Sequence, residues 1–327
     1  MVEPVAVIVP NFNKAKTLRA CLTAIAGQSY RPVEVVVVDD CSTDGSADIA
    51  REFDCRLVEM PVNGGPAAAR NEGVRCTTAP LLFFVDSDTA PAPDAIANAV
   101  RLLGDDVGMV QGIYEPYPLF DDGPVEAYRV AFEHFWRRRA VGRETGALLA
   151  ASLIRRSVFE EAGGLDERLR DGEDDEFGTR LPARYRLIAT DRVLTRHDDE
   201  ERLGPLLAEQ FTRARTKPAL MARTLLRQRD GARGARVAMM SPARFAHLDR
   251  SAQVTLAAAL LVPVLPPALP LLCGVILLAN HEFLRFAYRL RGVGFMLTAS
   301  GIHLLAQGAL VCGLIAGLPG AVRVLAR

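Results

Sequence analysis

The chain has 327 residues, with 39 basic and 39 acidic side chains, so its overall charge selects no partner and indicates no nucleic acid. That length suits one large domain or two smaller ones. Six cysteines (21, 41, 55, 76, 273 and 312) form no Cys-x-x-Cys pair and have no histidines at metal-ligand spacing, so they read as free thiols in a reducing compartment.

Residues 5–9 are an apolar run too short for a signal peptide and read as a strand, followed by the turn Asn11-Phe12-Asn13. Leu18, Cys21, Leu22 and Ile25 recur at helical spacing. Residues 33–38 are the next strand, ending in Asp39-Asp40, and Ser42-Thr43-Asp44-Gly45-Ser46 has the turn and cap chemistry that opens a helix. A short strand over residues 56–59 precedes Gly64-Gly65-Pro66, which starts a helix running to about Arg75. Residues 81–85 are five apolar side chains in a row, a buried strand, followed at once by Asp86-Ser87-Asp88. Strands alternating with helices predict an α/β fold: a mostly parallel, Rossmann-like sheet with helices on both faces.

Beyond Asp88 the pattern loosens. It predicts a helix over 94–103, a strand over 107–114, an apolar strand or buried turn over 146–153 and a short helix over 157–162 stopped at Gly163-Gly164. A further helix is expected over 176–186, interrupted at Pro182, and a long basic amphipathic stretch over 203–229. Residues 160–201 hold fourteen acidic and seven basic side chains, whereas 202–250 hold eleven basic and three acidic. The basic block leads into the tail, where residues 251–280 and, with His303 neutral, 292–322 carry no charge. Each run exceeds the roughly 20 apolar residues that cross hydrocarbon. The expected organisation is a catalytic domain over 1–250 and a membrane domain over 251–327. The first divides into an α/β part (1–115), a looser part rich in acidic residues toward its end (116–200) and a basic membrane-proximal part (201–250). Two spans would place Arg285, Arg289 and Arg291 outside, against the positive-inside tendency. Pro263, Pro266, Pro267 and Pro270 would instead permit a re-entrant hairpin, so transmembrane and re-entrant helices both stay open.

No Gly-x-Gly-x-x-Gly follows the first strand and no Walker sequence occurs, which argues against a dinucleotide enzyme or a P-loop ATPase. Instead four strand ends carry polar side chains: Asn11-Phe12-Asn13, Asp39-Asp40, Arg70-Asn71 on the helix after Gly64-Gly65, and Asp86-Ser87-Asp88. In a doubly wound sheet such ends lie along the ligand-binding edge. They supply an aromatic face for a base, carboxylates for base or ribose, an arginine for phosphate and a carboxylate pair for a divalent cation carrying a diphosphate. Each alone has a plainer reading: Asp39-Asp40 as a turn cap, Asp86-Ser-Asp88 as a solvated turn.

The chain resembles family 2 glycosyltransferases of the GT-A fold. The resemblance rests on Val7-Ile-Val-Pro-Asn-Phe-Asn13, Val37-Val-Asp-Asp-Cys-Ser-Thr-Asp-Gly45, Gly64-Gly-Pro-Ala-Ala-Ala-Arg-Asn71 with Gly73, and Phe84-Val-Asp-Ser-Asp88. Gly163-Gly-Leu-Asp166 and Gly172-Glu-Asp-Asp-Glu176 continue it, over about residues 4–190. It implies an inverting, metal-dependent transferase moving a sugar from a nucleotide-sugar donor, UDP- or GDP-linked, to a membrane-associated glycolipid or cell-envelope glycan. The site would work at the inner face of a bacterial cytoplasmic membrane. Pro10, Phe12, Asn13, Asp39, Asp40, Arg70 and Asp86 then belong to the nucleotide-sugar site. Asp88, with Asp86, would hold Mn²⁺ or Mg²⁺. Asp174 is expected as the base, with Glu173 and Asp175 as competitors; the plain alternative for this acidic run is a helix start favoured by the dipole. Gln210-Phe-Thr-Arg213 lacks the tryptophan of the processive family members. Arg213, Arg215 and Lys217 suit a diphosphate, a lipid phosphate or simply anionic lipid.

Three other readings stay open. A polyprenyl-phosphate acceptor would be nucleophilic already and need no base. A sugar nucleotidyltransferase would want a glycine-rich loop with Arg and Lys after the first strand, which Asn11-Phe-Asn13 is not. A non-catalytic membrane protein could keep the fold without the activity.

Overall fold

A computed structural model describes residues 2–142, 147–229 and 269–326. The chain forms two compact units, one of Met1–Phe120 and Trp136–Asp198, the other of Asp121–Phe135 and Asp199–Arg327.

The first unit is built on an eight-stranded sheet. Its strands are β1 (Val5–Asn11), β2 (Val33–Asp39), β3 (Arg56–Glu59), β4 (Leu81–Val85), β5 (Thr89–Pro91), β6 (Val107–Tyr114), β7 (Ala151–Arg155) and β8 (Arg186–His197), in the spatial order β3-β2-β1-β4-β7-β6-β8-β5. Only β7 and β5 run against the other six. The chain winds outward from β1 through β2 to β3, then returns to place β4 on the other side of β1. The β1–β4 boundary is therefore the switch point where such sheets open a crevice at their C-terminal edge.

Both faces of the sheet are covered, which explains the unbroken apolar runs. Val5, Val7, Val9, Leu81, Phe83 and Val85 pack on one side with Leu18, Cys21, Leu22 and Ile25 of α1 (Ala15–Ala26) and with Ile96 of α4 (Ala95–Leu102). Ala6, Ile8, Leu82 and Phe84 pack on the other with Ala67 and Val74 of α3 (Pro66–Arg75), Phe159 of α6 (Arg156–Glu161) and Phe177 of α7 (Glu173–Arg180). The short α2 (Ser46–Arg51) links β2 to β3. Gly73 sets how closely α3 lies on the sheet, because a Cβ there would come within 2.4 Å of the Ile8 Cγ2 atom.

Several elements depart from the sequence expectation. The acidic helix starts at Glu173 and ends at Arg180, earlier at both ends than 176–186, because Leu181 turns extended before Pro182. The strand expected over 146–153 is shifted to Ala151–Arg155; Gly146 lies outside the described residues. The strand β8 and the helix α5 (Pro124–Ala140) were not anticipated.

The second unit contains residues 124–135 of α5, the long helix α8 (Leu203–Arg229), α9 (Leu269–Ala279) and α10 (His281–Leu325). Helix α10 is broken at Gly292, whose φ of 83° only glycine adopts readily. Its stretch after that break corresponds to the second apolar run. Residues 251–268 of the first run, and 230–250 of the basic block, lie outside the described residues. Among the described residues, α10 is the one helix long and apolar enough to cross a membrane. It leaves Val293, Leu297, Leu305, Ile315, Leu318, Val322 and Leu325 exposed.

An aromatic cluster of Tyr128, Phe132, Phe283 and His303 fills the interior of this unit. The Tyr128 hydroxyl lies 2.9 Å from His303 Nδ1, both buried. Tyr128→Phe is expected to lower the melting temperature of the detergent-solubilised chain, since an unsatisfied buried polar group costs about 1–3 kcal/mol. An unchanged melting temperature would show that the pair adds nothing to the cluster.

Candidate active site

The site is built at the β1–β4 edge of the first unit. Asn11 and Asp39 are register partners at the ends of β1 and β2, and Asn11 Nδ2 donates to Asp39 Oδ1 at 2.7 Å. The other Asp39 oxygen accepts the Ser42 amide at 2.9 Å. Phe12, just beyond the strand, is 48% exposed, an aromatic ring turned to solvent directly after the buried Asn11. Pro10 is half-buried within β1. Asn13 has φ 52°, and its side-chain oxygen accepts the Thr43 amide at 2.8 Å, so it braces the loop after β2.

Asp40 does something the sequence did not reveal. Its two oxygens accept the amides of Gly64 and Gly65 at 2.6 and 2.7 Å. Gly65 has φ 85° and Pro66 follows at the first helical position, so this carboxylate anchors the turn that launches α3. Asp40, expected at the nucleotide-sugar site, thereby also holds the helix that carries Arg70.

Arg70 is buried and joins two of the expected site residues. Its Nη2 meets Asp86 Oδ1 at 2.7 Å, and its Nη1 meets Glu173 Oε1 at 2.7 Å. Burial works against the guanidinium charge, but Asp86 and Glu173 more than offset it and raise its pKa. The next residue, Asn71, clamps Leu165 of the Gly163-Gly164-Leu165 loop through both its amide atoms, at 2.9 and 3.0 Å. One turn of α3 thus ties the strand ends to the loop and helix of the acidic region. Asp174 follows Glu173 in the first turn of α7 and is half-exposed.

The Asp86-Ser87-Asp88-Thr89 turn is held by its backbone. The Thr89 amide and hydroxyl both donate to the Asp86 carbonyl, at 3.0 and 2.8 Å, and Thr17 of α1 donates to the Ser87 carbonyl at 2.9 Å. The Asp88 carbonyl accepts the Asp198 amide at 2.9 Å. This follows from the short β5–β8 pairing, in which Thr89 faces His197. His197 Nε2 lies 3.8 Å from Asp88 Oδ1, and its ring stacks on Tyr114 at 4.5 Å between centroids. The Arg137 guanidinium covers the same Tyr114 ring at 4.1 Å. Sequence reading missed His197, because nothing in the chain marks a histidine more than a hundred residues from Asp88 as its neighbour.

Lys14 Nζ meets Asp88 Oδ2 at 2.7 Å, and Lys16 Nζ meets Asp198 Oδ1 at 2.9 Å. Burial works against the Lys14 charge, but Asp88, and less so Asp198 and Asp86, raise its pKa above the ordinary lysine value. Burial pushes the Asp88 carboxyl up, and His197 and Lys14 more than reverse this, holding it below the usual carboxylate range. Asp88 and His197 bring a hard carboxylate oxygen and an imidazole nitrogen 3.8 Å apart, a pair of donors that Mn²⁺ or Mg²⁺ accepts when a diphosphate completes its oxygen shell, while Asp86 Oδ1 is held by Arg70. The Lys14 ammonium occupies one of the two Asp88 oxygens, so a divalent ion fits here once that ammonium moves aside.

Comparison with known proteins places this chain in a family. Residues 6–163 match the family model described as Glycosyl transferase family 2. The chain is similar to glycosyltransferase AglE of Haloferax volcanii, 30% identical over 218 residues, which cover 63% of this chain and 70% of that protein. It is 27% identical over 233 residues to the pre-mycofactocin glycosyltransferase of Mycobacterium tuberculosis, covering 63% of this chain and 45% of that protein. Its fold resembles that of the mannosyltransferase PcManGT from Pyrobaculum calidifontis, solved with GDP-Man and Mn²⁺, with a TM-score of 0.58, 23% identity and coverage of 97% of this chain and 88% of that one. The sheet order, the strand-end side chains and these likenesses agree: the chain is a glycosyltransferase of GT-A fold and belongs to glycosyl transferase family 2.

Proposed function

We propose that the chain is an inverting, metal-dependent transferase that moves a sugar from a nucleoside-diphosphate donor to a membrane-associated glycolipid or cell-envelope glycan. The observation that carries this reading is the Asp86–Arg70–Glu173 bridge, which joins the carboxylates of the donor edge to the acidic helix. Phe12 offers its exposed ring to the base, and Asp39, whose oxygens keep spare lone pairs, accepts a donor from base or ribose. Arg70 holds Asp86 in place and brings fixed positive charge near the diphosphate. Asp88, Asp86 and His197 would hold the divalent cation, Mn²⁺ or Mg²⁺, which when bound neutralises charge on the departing diphosphate as a Lewis acid. Asp174 takes the proton from the acceptor hydroxyl as that oxygen attacks the anomeric carbon. The attack breaks the bond to the diphosphate in one displacement and inverts the anomeric centre.

The exposed apolar residues of α10 suit association with a membrane, and in this reading the acceptor lies there and the site faces the cytoplasm at a bacterial inner membrane. The donor base is uridine or guanosine in this reading; the likeness to a fold solved with GDP-Man accords with the second. The test is a panel of UDP- and GDP-sugars incubated with the full chain in bacterial membranes, with Mn²⁺, Mg²⁺ or a chelator. Metal-dependent release of one nucleoside diphosphate is expected, with the product anomer inverted by nuclear magnetic resonance. Undiminished transfer under chelator, or a retained anomer, would overturn the proposed chemistry.

A further inference from the structure

The ion-paired side chains around Asp88 and Asp86 nearly balance in charge without any metal. Asp86, Asp88, Asp198 and Glu173 bring four negative charges, and Lys14, Lys16 and Arg70 bring three positive ones, each in direct contact with one of these carboxylates. A formal charge of −1 from these seven side chains is a weak attraction for a divalent ion that must also lose part of its hydration. The side chain nearest to Asp88 is moreover a competitor. The Lys14 ammonium sits on Asp88 Oδ2 at 2.7 Å, where a metal would bind. Lys14 reaches there from the residue before α1, and its side chain is 41% exposed, so the four-carbon stem is free to swing away.

We propose that Lys14 is the resting counter-ion of Asp88, and that it yields this carboxylate when a nucleoside diphosphate enters together with the divalent ion. The diphosphate supplies the negative charge that the protein side lacks, and it gives the displaced ammonium a new partner. Lys14 then serves as a positioning residue that couples metal binding to donor binding and keeps the site from loading metal alone. This inference rests on the assignment of the metal to Asp88.

The experiment is a Mn²⁺ titration of the full-length chain in detergent, reading free Mn²⁺ by electron paramagnetic resonance, alone and with UDP or GDP. Wild-type protein is expected to bind Mn²⁺ weakly alone and more tightly with one of the diphosphates. Lys14→Met should bind Mn²⁺ alone about tenfold more tightly, the lower end of what an adjacent opposite charge is worth in competition for a carboxylate. The gain from the diphosphate should shrink in the same variant, and Lys14→Arg, which keeps the charge, should restore the wild-type pattern. Mn²⁺ affinity in Lys14→Met equal to or below wild type, with an unchanged melting temperature, overturns the inference; so does a wild-type affinity that neither diphosphate improves. Adding Asp88→Asn to Lys14→Met separates the two levels. Loss of the tightened binding keeps the metal on Asp88, whereas its persistence removes the metal from Asp88 and takes the Lys14 inference with it.

Discussion

Asp88→Ala is expected to abolish sugar transfer while leaving the fold intact. The turn that carries Asp88 depends on backbone groups and on neighbours: Thr89 on the Asp86 carbonyl, Thr17 on the Ser87 carbonyl, and the Asp198 amide on the Asp88 carbonyl. None of these involves the Asp88 side chain. Its loss leaves Lys14 half-exposed and near Asp198 and Asp86, so no buried charge is stranded. Chemistry should suffer far more than stability. In the proposed mechanism the carboxylate faces the charge that grows on the departing diphosphate, and groups so placed are worth about 10²–10³-fold in rate, more when a metal is lost with them. Initial rates of diphosphate release under saturating Mn²⁺ or Mg²⁺, set beside a circular dichroism melt, make the comparison. Transfer at the wild-type rate would sink the metal assignment, and a collapsed melt would make Asp88 a structural residue.

The part of the molecule that holds this carboxylate was legible in the chain for a physical reason. Strands β1, β2 and β4 are covered by helices on both sides, so their sequences are unbroken apolar runs, and polar residues begin where the strand leaves the core. Arg56–Glu59 and Val107–Tyr114 were readable to the residue. Strand β8 was not, because buried and exposed positions alternate irregularly along it and it carries Arg186, Asp191, Arg192 and Arg196. Its partner β5 is three residues long, too short to signal itself, and with that pairing the approach of His197 to Asp88 was hidden. Helix α5 was obscured differently. Glu126 to Ala131 are buried in succession, which leaves no single apolar stripe for periodicity to detect. Sequence also named Asp40, Arg70 and Glu173 without showing what each touches. The Arg70–Glu173 contact spans 103 positions, and the hold of Asp40 on two glycine amides is invisible until the turn is folded.

That contact separates two neighbours that the sequence left as competitors. Glu173 and Asp174 open α7 side by side, yet Glu173 is buried against Arg70. A carboxylate held in a buried ion pair is poorly disposed to take a proton from an acceptor, because protonation would leave the guanidinium with one partner fewer. Asp174 is half-exposed in the same first turn and carries the base role in our reading. Asp174→Asn is therefore expected to cut turnover by about 10²–10⁴-fold, the usual size of general-base catalysis, with donor affinity and melting temperature close to wild type. Glu173→Gln should show the opposite pattern. It leaves Arg70 buried with Asp86 alone, so the melting temperature should fall and donor affinity should weaken as Asp86 shifts. Steady-state rates, nucleotide binding by calorimetry and thermal melts on both variants resolve the two roles. An intact rate in Asp174→Asn would move the chemistry to an acceptor that needs no base, a lipid phosphate. A large loss of donor affinity in that variant with little change in rate would place Asp174 on the nucleotide side of the site.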